Sequence, residues 1–353
     1  MILVAMSGGV DSSVSAYLMR EKYGTCKGAT MLLFLNEALG ISGKYPCCSL
    51  ENITDARAVC DALGIEHEVI NLMSKFEESV IKKFVQVYES GGTPNPCIDC
   101  NKFLKFGELL KHSERIATGH YARIERENSG RYLLRKAEDL SRDQSYVLYV
   151  LTQEQLSRVE FPLGGMLKSE VRELAASLGF TNAKKHDSQD ICFVPDGNYG
   201  AFIERFTGKN YEAGNFVDAS GKILGQHKGI IHYTTGQRKG LGVSAKSRLY
   251  VSKIDPKNNT ITLLPESESE LYSRKIIVNK FNLVSVDNLS ANFHATVKTR
   301  YRQKEIPCVV NQTGGDEAVI EFTERVRVPA AGQAAVIYDG DYVIGGGTIS
   351  GVI

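Results

Sequence analysis

The stretch Ser7-Gly8-Gly9-Val10-Asp11-Ser12-Ser13 follows directly on the apolar run Ile2 to Met6 and precedes Val14, Tyr17 and Leu18 at helical spacing. A strand, a sharp glycine turn and a helix are the parts of an anion site. Paired glycines let the backbone reverse, so that its N–H groups and the helix N-terminus converge on one point. Ser7, Ser12 and Ser13 add hydroxyl donors there. The bland alternative is an ordinary glycine turn with Asp11 or Ser12 as the helix cap. No G-x-x-x-x-G-K-[ST] run occurs, and no G-x-G-x-x-G follows this strand, so the two commonest phosphate loops do not compete.

Outward from that loop, Gly28 to Leu35 reads as a second strand, which makes the opening a βαβ unit. Asn52 to Leu63 places Ala56, Val59 and Leu63 on one helical face, stops at Gly64 and leads into a strand from Ile65 to Ile70. This alternation predicts an α/β fold, a parallel sheet with helices on its faces. A helix from about Ser74 to Tyr88 runs into Gly91-Gly92-Thr93-Pro94-Asn95-Pro96, whose glycines and prolines predict a loop carrying Cys97 and Cys100. Helical patterns return at Lys168 to Leu178 and Tyr199 to Phe206. From about Gly214 short strands take over, with turns at Ala219-Ser220-Gly221, Gly314-Gly315 and Asp339-Gly340, as in a small β-barrel. The boundaries fall near 208 and 277: an α/β domain at 1–208, a small central domain at 209–276 and a C-terminal β-barrel at 277–353.

The 353 residues fit two or three domains at roughly 150 residues each. With 42% hydrophobic and 24% charged residues the composition is that of an ordinary globular protein and argues against disorder or a coiled coil. The run Met1 to Met6 is far short of the roughly 20 apolar residues of a spanning helix, and no Lys or Arg precedes it, so a soluble cytoplasmic chain without membrane contact is expected. A net charge of +1 leaves any nucleic-acid partner to local basic patches. In Lys298-Thr299-Arg300-Tyr301-Arg302-Gln303-Lys304, strand alternation predicts Lys298, Arg300, Arg302 and Lys304 on one face with Tyr301 opposite. That face is either a lane for phosphates or a solvated strand surface.

Eight cysteines are too few for a secreted disulfide scaffold; in a reducing compartment, close cysteine pairs point to metal or redox chemistry. Cys26, Cys60 and Cys308 lack such context and are expected to be structural. Cys47 and Cys48 are vicinal, and a chemical role for them is the lesser reading.

The glycine loop resembles the PP-loop of the ATP pyrophosphatases. Three further stretches narrow the resemblance: Thr93-Pro94-Asn95-Pro96-Cys97-Ile98-Asp99-Cys100-Asn101-Lys102, Ala117-Thr118-Gly119-His120-Tyr121-Ala122-Arg123 and Asp187-Ser188-Gln189-Asp190-Ile191-Cys192-Phe193. Together they resemble the tRNA-specific 2-thiouridylases over nearly the whole chain. The resemblance implies a PP-loop domain, a central domain and a β-barrel. It also implies replacement of O2 of the wobble uridine of tRNAs for Lys, Glu and Gln by sulfur, with ATP and Mg2+ consumed in the activation. A sulfur donor protein, such as a cysteine desulfurase or a sulfur relay, is implied as a partner.

By the same resemblance ATP is held by Ala5, Met6, Ser7, Gly8, Gly9, Val10, Asp11, Ser12, Met31 and Gly119, with Asp11 positioning Mg2+. Cys100 is implied as the nucleophile and Cys192 as the persulfide carrier, the two closing a transient disulfide when sulfur leaves. The target base is assigned to Asn95, Pro96 and Cys97. The rest of the tRNA is assigned to His120, Arg142, Asp143, Gln144, Arg300, Tyr301 and Gln333. Many family members have Asp where this chain has Cys97. The resulting Cys-x-x-Cys, with Cys192 as a third thiolate, leaves two readings: a redox pair, or an iron–sulfur cluster with one open iron. Two other functions compete with thiolation, an amide-forming PP-loop ATP pyrophosphatase and an RNA-binding protein without catalysis.

Overall fold

Strand β1 (Ile2–Ala5) is apolar on both faces because it lies inside a sheet: Ile2, Leu3 and Val4 are all buried. In this computed structural model, which describes residues 1–35, 39, 50–185 and 190–353, β1 is flanked by β2 (Cys26–Leu32) on one side and β4 (Arg115–Ala117) on the other. With β3 (Glu66–Asn71) and β7 (Val159–Glu160) the order is β3-β2-β1-β4-β7, every pair parallel. The chain winds outward from β1 to β3, then crosses back to β4. The crevice at the carboxyl ends of β1 and β4 is therefore the switch point where open parallel sheets take their ligands. Cys47 and Cys48, and Asp187, Ser188 and Gln189 of the third quoted stretch, lie outside the described residues.

Helix α1 (Val10–Tyr23) connects β1 to β2 and buries Val10, Val14, Ala16 and Met19 against the sheet. It ends at Gly24 (φ 74°), whose N–H closes on Arg20 O at 2.8 Å. Helix α2 (Leu50–Leu63) packs Ala56, Val59, Cys60 and Leu63 into the same core. The segment expected as one helix from Ser74 is α3 (Met73–Phe76), a π-helical turn over Glu77–Ile81, and α4 (Lys82–Glu89). After Pro94 and Asn95, α5 (Pro96–Asp99) continues as a π-helix over Cys100–Glu108. The hairpin of β5 (Arg123–Arg126) and β6 (Tyr132–Arg135) follows, then α6 (Gln153–Ser157), which is capped by Thr152 accepting from Gln155 N at 3.2 Å, and α7 (Lys168–Ser177).

The chain divides into two compact units. The first holds Met1–Val80, Pro96–Gly197 and Asp341–Ile344, and so contains the parallel sheet. The second holds Ile81–Asn95, Asn198–Gly340 and Gly345–Ile353. Within it α4 belongs with α8 (Tyr199–Thr207) through an aromatic cluster: Phe84 meets Tyr199 and Phe202 edge-on, and Tyr88 stacks on Tyr199. A four-stranded sheet, ordered β10 (Leu249–Asp255), β11 (Thr260–Pro265), β8 (Gly214–Val217) and β9 (Ile223–His227), buries Phe216, Tyr233, Val251, Ile261 and Leu263. Six further strands run in the order β12 (Tyr272–Leu283), β15 (Glu317–Arg327), β14 (Ile306–Gln312), β13 (Phe293–Lys298), β16 (Ala334–Asp339) and β17 (Tyr342–Val352). Pairing of β12 with β17 closes them into a barrel, which leaves no free sheet edge. The expected fold class, a parallel α/β domain with a central domain and a C-terminal β-barrel, is the one observed. Among the described residues no helix is long and apolar enough to cross a membrane.

Candidate active site

The loop between β1 and α1 is shaped by contacts only glycine permits. Gly8 has φ +74°, and a Cβ built there would stand 2.4 Å from Asn52 O. Inside the turn Ser7 N donates to Ser12 Oγ at 3.2 Å. Ser12 Oγ and Ser13 Oγ donate to Gly9 O at 2.9 and 3.1 Å. Gly9 is the N-cap of α1 and no side chain caps the helix, so neither Asp11 nor Ser12 plays that role. The first-turn N–H groups are left for a ligand, as an anion site requires. Asn182, 3% exposed, braces the turn by donating to Gly8 O at 3.1 Å and Ser13 Oγ at 2.8 Å, and its buried Oδ1 has no hydrogen-bond partner.

Gly119, just past β4, approaches the loop from across the crevice. Its Cβ would lie 2.9 Å from Asp11 C and 3.0 Å from Ser12 N. Ala5 and Met6 lead into the loop, with Met6 N bonded to Ala29 O at 2.8 Å, and half-buried Met31 sits at the same end of β2. The structure thus brings Ala5 to Ser12, Met31 and Gly119 to the carboxyl edge of one sheet.

Asp11 projects from the first turn of α1 into a charged cluster that the sequence does not reveal. Lys168 Nζ, at the start of α7, reaches both carboxylate oxygens at 2.7 and 2.8 Å, and Tyr121 Oη donates to Oδ1 at 2.8 Å. The Lys168 ammonium also lies 5.6 Å from the centre of the Tyr121 ring. Lys168 is 7% exposed, an unusual burial for lysine that the Asp11 carboxylate offsets. In the sequence Lys168 shows only as the start of a helical pattern, Asn182 carries no signal, and Tyr121 stands only within a longer matching stretch.

Cys97 and Cys100 are on a helix rather than in the predicted loop. Pro96 takes the first helical position, where its missing N–H costs nothing, and the loop ends at Asn95. Cys97 is exposed, while Cys100 and Cys192 are half-buried. The helix is anchored by buried Asn101, which donates to Val147 O at 3.0 Å. Among the described residues no group of three or more His, Cys, Asp or Glu is placed to hold a metal ion, so Cys97, Cys100 and Cys192 are not gathered as cluster ligands. Cys26, Cys60 and Cys308 are buried, and burial pushes the Cys60 and Cys308 thiols up to about 12.

The residues assigned to tRNA fall into two groups. Arg142, Arg300 and Tyr301 are exposed. His120 is 7% exposed, bonded to Thr118 Oγ1 at 2.7 Å and Lys105 Nζ at 3.4 Å, and packed by Phe106 and Phe161. Burial and the Lys105 ammonium hold its imidazole well below the usual range, so a neutral, covered ring stands where an RNA contact was expected. Asp143 accepts from Ala137 N and Ser145 N, and Gln144 Oε1 accepts from Tyr121 N at 3.0 Å; both side chains fold their own loop. Gln333 Nε2 donates to Thr93 O at 3.0 Å and Pro94 O at 3.1 Å, fixing the backbone just before half-buried Asn95.

The basic strand face also needs correction. Strand β13 ends at Lys298, and the chain turns: Thr299 N and Oγ1 both donate to Gln303 Oε1, and Gln303 N returns to Arg300 O at 3.1 Å. The glutamine side chain supplies the acceptor that a partner strand would have given, so the four cations do not line one face.

Family models match in three consecutive pieces. These are a tRNA methyl transferase HUP domain over residues 1–196, a tRNA methyl transferase PRC-barrel domain over 200–264 and an aminomethyltransferase beta-barrel domain over 273–349. The tRNA-specific 2-thiouridylase MnmA 1 of Caldanaerobacter subterraneus subsp. tengcongensis is 44% identical, covering 99% of this chain and 97% of its own. The enzyme of the same name from Thermoanaerobacter sp. (strain X514) is 47% identical with the same coverage. The tRNA-specific 2-thiouridylase MnmA of Lachnoclostridium phytofermentans is 44% identical over 99% of both chains. With likeness of this degree running end to end, the chain belongs to the tRNA-specific 2-thiouridylase family.

Proposed function

We propose that this protein is an ATP-dependent tRNA-uridine 2-sulfurtransferase acting on the wobble uridine of tRNAs for Lys, Glu and Gln in the cytoplasm. The observation that carries the reading is the uncapped glycine loop at the β1–β4 switch point, in a chain alike to 2-thiouridylases over 99% of its length. The family-model descriptions speak of methyl transfer. An anion loop for a departing pyrophosphate and accessible thiols suit sulfur transfer better.

In this reading the uridine O2 attacks the α-phosphorus of ATP and pyrophosphate leaves into the loop formed by Ser7 to Ser12, next to Gly119. The terminal sulfur of a Cys192 persulfide adds at C2, and the C2–O bond breaks to release AMP. The Cys100 thiolate then attacks the Cys192 sulfur, so a disulfide forms as the thiouridine departs, and an external thiol reduces it. Asp11 is the carboxylate that would hold Mg2+, which needs few protein ligands beside phosphate and water and supplies charge neutralisation. No step is routed through an iron–sulfur cluster, because the three cysteines do not form a ligand set here. A sulfur donor protein of the cysteine desulfurase or relay type would load Cys192. Asn95, Pro96 and Cys97 are assigned to the base, and exposed Arg142, Arg300 and Tyr301 to the rest of the tRNA. The divisions 1–208, 209–276 and 277–353 are kept as catalytic, central and barrel domains, supported by family matches that break at similar places.

The test incubates full-length protein with an unmodified tRNA transcript, MgATP and a persulfide source, and reads 2-thiouridine by nucleoside mass spectrometry alongside pyrophosphate. Equal yields of both support the reading, and pyrophosphate without thiouridine overturns it. Cys97→Asp should remain active, and Cys192 should be found with one added sulfur. Loss of activity in Cys97→Asp, with iron in anaerobically purified protein, would restore the cluster.

A further inference from the structure

Between Asp218 and Asp255 the sequence holds no Asp or Glu but seven Lys and Arg, in a protein whose net charge is only +1. Four of these cations, Arg238, Lys239, Lys246 and Arg248, lie exposed on the loop that leads into β10. Other basic side chains of the same unit do find counter-charges, among them Lys209 with Glu89, Lys275 with Glu321 and Arg327 with Glu266. None of the four loop cations has an ion-pair partner among the described residues. Like charges crowded without counter-charge raise the free energy of the isolated protein, and a polyanion relieves that cost.

The loop is also built to hold its shape. Gly236 N bonds to Val251 O at 2.7 Å, Val251 N to Gln237 O at 2.9 Å, and Thr234 N to Gln237 Oε1 at 3.0 Å. Leu241 pins the loop from below by entering the core under the four-stranded sheet. Gly236, Gly240 and Gly242 have φ of +83°, +76° and +67°, the left-handed bends that let the backbone fold round a hollow. That hollow, of about 310 Å³, has Arg238, Arg248 and Ser247 on its wall together with Gly240, Gly242 and the apolar Leu241, Val243, Ala245 and Leu249. Exposed Arg300, in the turn after β13, donates to Thr235 O at 3.1 Å and adds a further cation where the loop begins.

We infer that the loop 236–248 docks the phosphodiester backbone of tRNA, with Arg238 and Arg248 holding phosphate at the hollow and Lys239 and Lys246 at its rim. The inference rests on the thiolation reading for its choice of RNA. The loop's chemistry fits backbone rather than bases or lipid. It carries no aromatic side chain for stacking, and its larger apolar residues, Leu241 and Val243, pack into the core under the four-stranded sheet rather than present a face to a bilayer. Such a surface adds affinity and orientation without sequence preference.

The test compares wild-type full-length protein with the fourfold variant Arg238→Ala, Lys239→Ala, Lys246→Ala, Arg248→Ala in tRNA binding across a salt series. Each lost phosphate contact removes about one counterion from the log–log slope. The slope should shrink by ~3 to 4 and affinity should fall at least tenfold near 0.15 M salt, with ATP affinity and thiolation at saturating tRNA kept. Ser247→Asp, which adds an anion to the hollow and removes no cation, should weaken tRNA binding in the same direction; Lys239→Arg with Lys246→Arg should not. An unchanged slope in the fourfold variant of a thiolating enzyme overturns the surface and leaves the function intact. Tight RNA binding without thiolation in wild type, with the slope lost in the variant, upholds the surface and overturns the function.

Discussion

Asp11 and Lys168 meet across 157 residues of sequence, and their pairing sets what each can do. A carboxylate at a helix N-terminus is favoured by the dipole, yet it opposes the entry of a triphosphate into the same turn. The Lys168 ammonium offsets that charge, and the Tyr121 hydroxyl donates to the same carboxylate. In the proposed reading the triphosphate would offer Lys168 a second counter-charge, and Asp11 would be the carboxylate to hold Mg2+. Asp11→Asn should abolish pyrophosphate release while tRNA binding stays near wild type; normal ATP turnover in that variant would refute the role. Lys168→Met should lower ATP affinity by tenfold or more by calorimetry and destabilise the protein by about 1–2 kcal/mol, since Asp11 loses its partner in a half-buried site. An unchanged ATP affinity would reduce the lysine to a packing role. Asp11 was legible because everything that marks it lies within seven residues of loop. Lys168 was not, because its role comes from where α7 places it against α1, and nothing in the stretch Gly165-Met166-Leu167-Lys168 announces a partner.

At the scale of the element, the sequence was readable wherever local chemistry dominates and misleading where a distant group substitutes for it. Gly64, with φ of +65°, ends its helix as the pattern predicts. Pro96 reads as a breaker although it opens a helix, since the same ring that ends one element suits the first turn of the next. That turn moves Cys97 and Cys100 from a mobile context to a framed one. The alternation at Lys298 to Lys304 imitates a strand, but the Gln303 side chain closes a turn around it, an outcome periodicity cannot see. The crevice itself rests on Gly119, where the β4 end passes within contact of the α1 start. Gly119→Ala would press a methyl on the Asp11 backbone, which is held in the helix and cannot yield as a flexible side chain would. It should displace the loop, lower ATP affinity at least tenfold and leave the tRNA salt slope unaltered. Wild-type ATP affinity in this variant would show that the two backbones part easily.

Across the whole molecule the histidines make stability depend on pH in a direction the structure fixes. His67 and His120 in the first unit and His227 and His232 in the second are all held below the usual value of 6.5, in each case chiefly by burial. Lys105 adds to the effect at His120 and Lys228 at His232. A depressed histidine binds a proton more readily in the unfolded chain than in the folded one. The stability it contributes is therefore complete above about pH 6.5 and is lost as pH falls below that value toward the folded pKa. Each histidine kept neutral in the fold removes up to about 1.4 kcal/mol per pH unit in that window. The carboxylates held low, among them Glu89 and Asp139, act in the same direction, but only nearer their ordinary values of 4.5 and 3.8, so they do not blur it. Denaturant unfolding should therefore show stability steady from pH 8 to 7 and falling steeply from 6.5 to 5, with net proton uptake on unfolding. His67→Gln, which keeps a hydrogen-bonding partner for Thr30, should lessen the slope by up to one proton while the other three histidines maintain the rest. A flat profile between pH 7 and 5 would mean that the buried imidazoles take up protons inside the folded protein, and the covered, neutral His120 would have to be abandoned with them.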